Sequence, residues 1–366
     1  MNFDNKLISI WHVGGRDGFL PYDFQSAFDN SCEIILIDAA DIGKIEKALL
    51  AGGRKSNARI FQIQTAIWDS DGTIELHHTE CAYAASIKKL DTHYSKWFVF
   101  GNGNCDYLLG EAHTIRKSEF IQTRSIDSLV KDRYCGIPEI LSIDAQGCSL
   151  EILQGAVEAL QANIDAVVCE AELIPFYGGT PSFADILKFM SERRMIFVGF
   201  TDEDTQWASP YRVPIGLRSK AMLGSVDAIF LRDPITFSDN EKFERISSYI
   251  WVVCIFGHLD LAVHIIRGTK IQKIHECRIE NSVICFAREL YILVNRVPEL
   301  FPPTFRENSS EAMAEYNSSR IVNMDFHGDT EIECFLKNYG FDELATETKR
   351  IRLEQMPYAK LVKGSS

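Results

Sequence analysis

Four acidic residues close short apolar runs in this chain: Asp38 ends EIILID, Asp144 ends EILSID, and Glu170 and Glu172 end AVVCEAE. A carboxylate accepts hydrogen bonds only, so at a strand end it can hold a pair of ribose hydroxyls, attract a cation or take a proton. Carboxylates gathered at neighbouring strand ends are costly to desolvate, which points to a ligand or to base chemistry, with burial or mutual repulsion raising at least one pKa. Ahead of them, LISIWHV runs into Gly14-Gly15-Arg16-Asp17-Gly18. Small residues there let the backbone turn sharply and approach a ligand closely, although a tight turn needs glycine with or without one. Asp38 reads either as a ribose-binding carboxylate or as a helix-capping aspartate.

The elements that position these residues follow from periodicity. LISIWHV, EIILIDA, ARIFQIQTAI, EILSIDA, DAVVCEAEL, MIFVGF and DAIFLRD are strand-length apolar runs, several separated by helix-like segments at Asp41 to Leu50, Leu150 to Gln161 and Ser182 to Arg194. Such alternation predicts an α/β domain, a doubly wound, mostly parallel sheet with helices on both faces, over residues 1–235. In such sheets ligands bind outside the carboxyl ends of the strands, where strand order reverses, so the strand-end residues are the candidate site. After Asp233-Pro234 the pattern becomes helical, predicting a mainly helical C-terminal extension over 236–366. Trp97 and the following FVFGNGN read either as a flap over the site or as a simple turn.

With 366 residues, 38 Lys plus Arg against 51 Asp plus Glu and a formal net charge of −13, the chain offers no basic run to neutralise a nucleic-acid backbone. Ten scattered cysteines form no CxxC pair, which suits a reducing compartment, and MNFDNKLISIWHVGG lacks a secretory pattern, so a cytoplasmic location is expected. The apolar stretch from Ile246 to Ile266 is broken by Gly257, His258 and Asp260, and no membrane span is expected. His77 and His78 would point to opposite faces of a strand, and no metal site is expected.

The ordered set VGGRDG, IDAA, TAIWDSDG, RSIDSL, LSIDAQGCSLEIL, CEAELIPFYGG and VDAIFLRD resembles the FkbM-type methyltransferases over about residues 5 to 233. The resemblance implies a Rossmann-like sheet, S-adenosylmethionine as cofactor, and O-methylation of a carbohydrate-like or other small hydroxyl acceptor. It further implies that His12, Gly14, Gly15, Asp17, Gly18, Asp38, Ala39, Thr65, Ala66 and Asp144 surround the cofactor. Asp144, Glu172 and Glu170 would be the catalytic carboxylates, and Gln146 and Tyr177 would meet the acceptor. Where the family has an acid, a lysine and a glutamate, this chain has His12, Ser142 and Ser149, each replacement removing a charge. His12 reads either as a donor to the cofactor or as a hydrogen-bonded core histidine. The alternative to an active enzyme is a degenerate cofactor-binding fold that serves as an interaction module.

Overall fold

In the computed structural model the described residues are 7–14, 32–39, 59–100, 106–132, 136–201, 206–210, 221–237, 243–258, 261–262, 264–265 and 346. Gly15, Asp17 and Gly18, the expected helix from Asp41 to Leu50, the Gly101 to Asn104 part of the candidate flap and most of the C-terminal extension lie outside them. The chain packs as two units, Met1–Val252 and Val253–Ser366.

The apolar runs form strands because each can be buried on both faces. All six residues of β1 (Ile8–Val13) are buried, as are five of the seven of β2 (Cys32–Asp38). With β3 (Arg59–Gln64), β9 (Ile140–Ile143) and β10 (Ala166–Glu172) they form a parallel array in the order β3-β2-β1-β9-β10. The chain leaves β1 toward β2 and β3, then returns to place β9 on the other side of β1, in register from Ile10 against Ile140 to Val13 against Ile143. That reversal puts a crevice at the carboxyl ends of β1 and β9. Beneath it Trp11, Ile35, Leu141, Ile152, Val167 and Phe230 belong to one continuous core.

The rest of the sheet departs from the expected mostly parallel arrangement. β13 (Met222–Arg232) runs antiparallel to β10, and both β11 (Met195–Phe200) and β12 (Gln206–Pro210) pair antiparallel with its far edge. β6 (Trp97–Phe100), part of the candidate flap, and β7 (Asp106–Leu108) continue the antiparallel half, so the sheet is mixed. A buried apolar run has the same composition in either direction, which is why periodicity could not show this.

A second sheet, in the order β4-β8-β5, joins β4 (Ala66–Ile67), β8 (Ile115–Arg124) and β5 (Gly72–Thr79). Among the helices, α1 (Leu109–Ala112) is one turn and α2 (Ile126–Lys131) is capped by Ser125. The single helix expected from Leu150 to Gln161 is two, α3 (Ser149–Gln154) and α4 (Val157–Ala162). A Cβ at the intervening Gly155 would lie 2.3 Å from the Trp68 carbonyl oxygen, so this junction is pressed against the turn leading into β5. α5 (Phe183–Glu192) starts at a Ser182/Asp185 capping box. α6 (Phe243–Ile255) is tied down by Arg245, which grips both oxygens of the fully buried Asp165. No helix among the described residues is long and apolar enough to cross a membrane.

Candidate active site

The crevice is built from backbone first. Gly14 adopts φ +88°, and its N–H donates to the Ile37 carbonyl at 2.9 Å, while the Asp144 N–H donates to the Val13 carbonyl at 2.9 Å. A Cβ at Gly14 would fall 1.7 Å from the Asp144 carbonyl oxygen, so only glycine lets the ends of β1 and β9 approach this closely. The Thr65 N–H donates to the Asp38 carbonyl at 2.9 Å, which locks the end of β3 to that of β2.

Together these ends line a cavity of about 510 Å³, ample for a small-molecule cofactor. Asp38 and Ala39 line it from β2, Thr65 and Ala66 from the end of β3, and Asp144 and Gln146 from the turn after β9. The structure thus brings Gly14 together with six residues whose roles were inferred from strand ends and from the family resemblance.

A second wall comes from the small sheet: Leu76 and His78 of β5, and Glu119 and Ile121 of β8. Ser86 links the two walls. It exchanges backbone hydrogen bonds with His77, and its hydroxyl donates to the Gln146 carbonyl at 2.8 Å. Sequence reasoning missed this wall, because β8 (IRKSEFIQTR) is largely exposed and polar and carries no buried-strand pattern. The only signal was alternation: adjacent His77 and His78 had to face opposite ways, and it is His78 that lines the cavity.

Four residues expected in the site lie outside the cavity lining. His12 is 1% exposed, and its Nδ1 is 2.9 Å from the Ser142 hydroxyl, an environment that fits the core-histidine reading. Glu170 and Glu172 share a face of β10, one layer under the turn, where a Cβ at Gly147 would come within 3.1 Å of Glu172 Oε1. Burial pushes the Glu172 carboxyl up to about 8, against the weaker pull of the Phe176 N–H and Lys88. Burial, with Asp144, Glu172 and Asp227 nearby, raises Glu170 well above the usual carboxylate range. Raised pKa values were expected here, and neither glutamate is among the residues that line the cavity. Tyr177 is likewise buried, and its hydroxyl donates to Gln146 Oε1 at 2.7 Å and lies 3.0 Å from His113 Nε2. It stands behind the cavity-lining Gln146.

The residues that line the cavity suit S-adenosylmethionine: a glycine turn at the end of β1, one carboxylate at the end of β2 and a second at the end of β9. The family model for the methyltransferase FkbM domain matches residues 12–197, a span that contains every one of these groups. The chain belongs to the FkbM methyltransferase family. The family is one of S-adenosylmethionine-dependent methyltransferases. No curated protein matches the chain.

Among solved structures, a methyltransferase FkbM from Methylobacillus flagellatus KT matches at 10% identity and a TM-score of 0.31, over 62% of this chain and 44% of that one. This FkbM-family chain therefore spans less than half the length of that relative. The magnesium protoporphyrin IX methyltransferase of Synechocystis PCC 6803, with bound SAM, matches at 7% identity and a TM-score of 0.30, over 63% and 72% of the two chains.

Proposed function

We propose that the protein transfers a methyl group from S-adenosylmethionine to a hydroxyl of a carbohydrate-like or other small acceptor. The observation that carries this is the single cavity that unites Gly14, Asp38 and Asp144 at the strand-order reversal. The cofactor would supply a methyl group on a cationic sulfur. Asp38 would accept both ribose hydroxyls, Thr65 and Ala66 would flank the base, and Gly14 would let the backbone close on the methionine part. Asp144 would face the positive sulfur and attract it. The protein's main task is then to hold the acceptor oxygen in line with the methyl carbon and to keep water out.

Against the degenerate-module alternative, none of the three charge-removing departures is left without a hydrogen bond. His12 pairs with Ser142, and the Ser149 hydroxyl donates to the Glu170 carbonyl at 2.7 Å. The residues that line the cavity keep both strand-end carboxylates.

Calorimetric titration with S-adenosylmethionine and S-adenosylhomocysteine tests the proposal. Asp38→Ala should weaken binding about 10- to 100-fold, the worth of a charge-assisted hydrogen-bond pair. Asp144→Asn should chiefly slow turnover. Absence of binding to both ligands in the wild-type protein would remove the enzyme reading.

A further inference from the structure

The wall formed by the small sheet holds a pair that the strand-end residues leave unused. His78 Nε2 lies 2.8 Å from Glu119 Oε1, both side chains are 39% exposed, and both line the cavity that contains Asp38 and Asp144. The other oxygen of Glu119 is taken by the Lys117 ammonium. Lys117 first, and His78 second, hold the Glu119 carboxyl below the usual range, so it is a carboxylate and can only accept. Nε2 of His78 must therefore carry the proton, and in the neutral ring the lone pair sits on Nδ1, which makes no hydrogen bond to any described residue. His77 shows the contrast: it is 3% exposed, its Nδ1 is 2.8 Å from the Ser118 hydroxyl, and it does not line the cavity.

In-line displacement places the acceptor oxygen on the far side of the methyl carbon from the sulfur. With the sulfur held by the strand ends, a base for the acceptor belongs on the other wall. We propose that His78 is the general base that takes the acceptor hydroxyl proton, and that Glu119 positions it by fixing its tautomer. This rests on the hydroxyl-methyltransferase reading above. As an oxygen lone pair forms the O–CH3 bond, the C–S bond breaks and its electron pair stays on sulfur. The O–H proton passes to His78 Nδ1, and the resulting imidazolium is balanced by the Glu119 carboxylate.

The test compares wild type with His78→Gln and Glu119→Gln. Titration with S-adenosylhomocysteine should give affinities within about threefold of one another, because neither residue holds the cofactor. Methyl transfer from radiolabelled S-adenosylmethionine is followed with methyl α-D-glucopyranoside, methyl α-L-rhamnopyranoside and glycerol as hydroxyl probes. His78→Gln should lose about 10²- to 10⁴-fold in kcat with little change in KM. Glu119→Gln should lose at least about tenfold, and free imidazole should restore turnover to His78→Gly. Independently of turnover, nitrogen-15 NMR should show His78 protonated at Nε2, a preference lost in Glu119→Gln.

Turnover of His78→Gln within threefold of wild type, or a proton on Nδ1 instead, overturns the assignment. Wild-type protein that binds S-adenosylhomocysteine but methylates none of the hydroxyl probes also overturns it, while the cofactor reading stands. Failure to bind S-adenosylhomocysteine at all sinks the reading beneath it.

Discussion

Glu172→Gln should remove a pH-dependent weakness from the fold. Glu172 is 4% exposed, its Oε2 accepts from the Phe176 N–H at 3.1 Å, and its Oε1 is buried without a hydrogen-bond partner. Ionising it therefore costs free energy that water would otherwise supply, and the carboxyl is pushed from 4.5 to about 8. A carboxyl whose folded-state pKa is raised contributes stability that is fully present below the unfolded pKa. That contribution is lost as pH rises through the folded value. The window runs from 4.5 to about 8, and at about 1.4 kcal/mol per pH unit the loss across it is on the order of 5 kcal/mol. Glutamine keeps an acceptor for the Phe176 N–H and cannot ionise. Urea unfolding of wild type and Glu172→Gln at both edges of the window should show a free-energy difference that shifts in favour of the variant by several kcal/mol toward the alkaline edge. Other titrating groups are shared by the two proteins and largely cancel. Parallel profiles would refute the burial argument. Glu170 is pushed the same way by burial and by Asp144, Glu172 and Asp227, so Glu170→Gln should tilt in the same direction.

Gly14→Ala must fit a Cβ 1.7 Å from the Asp144 carbonyl oxygen at φ +88°, and should cost more than the roughly 1–3 kcal/mol of a strained backbone alone. Wild-type melting and S-adenosylhomocysteine affinity in this variant would mean that β1 and β9 do not meet there. Asp165→Asn leaves the half-buried Arg245 and the buried Arg232 without their shared counter-charge, and should destabilise by about 3–5 kcal/mol in urea unfolding. A loss under about 1 kcal/mol would contradict the buried triad. Ser142→Ala strips a buried hydrogen bond from His12 and should cost about 1–3 kcal/mol. Its effect should fall on stability, with S-adenosylhomocysteine affinity nearly unchanged.

The parallel half of the sheet and the strand-end carboxylates were legible in the sequence because burial on both faces demands continuous apolar runs, which make the exceptions at their ends visible. Asp38 and Asp144 were found that way. The same rule could not tell Glu170 and Glu172 apart from them, because alternation fixes which residues share a face but not how deep that face lies. Here it lies under Gly147, against which Glu172 packs. The second wall was illegible for another reason. His78 and Glu119 are 41 residues apart, and they meet because β5 and β8 pair antiparallel, with Leu76 opposite Glu119 and His78 opposite Lys117. That register is set by a strand pair with one exposed, polar face, whose pattern is indistinguishable from a loop.

The departures from the family pattern take on a different meaning once their places are known. His12 and Ser142 face each other across β1 and β9, in register and joined by a hydrogen bond, at 1% and 0% exposure. An acid and a lysine at these two positions would be a buried ion pair, and losing either one alone would strand the other charge, at a cost of about 3–5 kcal/mol. Replacing both gives a neutral pair that satisfies its polar atoms without any charge to desolvate. Ser149 is satisfied in the same way, by the carbonyl of Glu170. At all three positions where the resemblance implies a charge, this chain thus has a neutral, hydrogen-bonded side chain beneath the site. The carboxylates that face the cavity, Asp38 and Asp144, are retained.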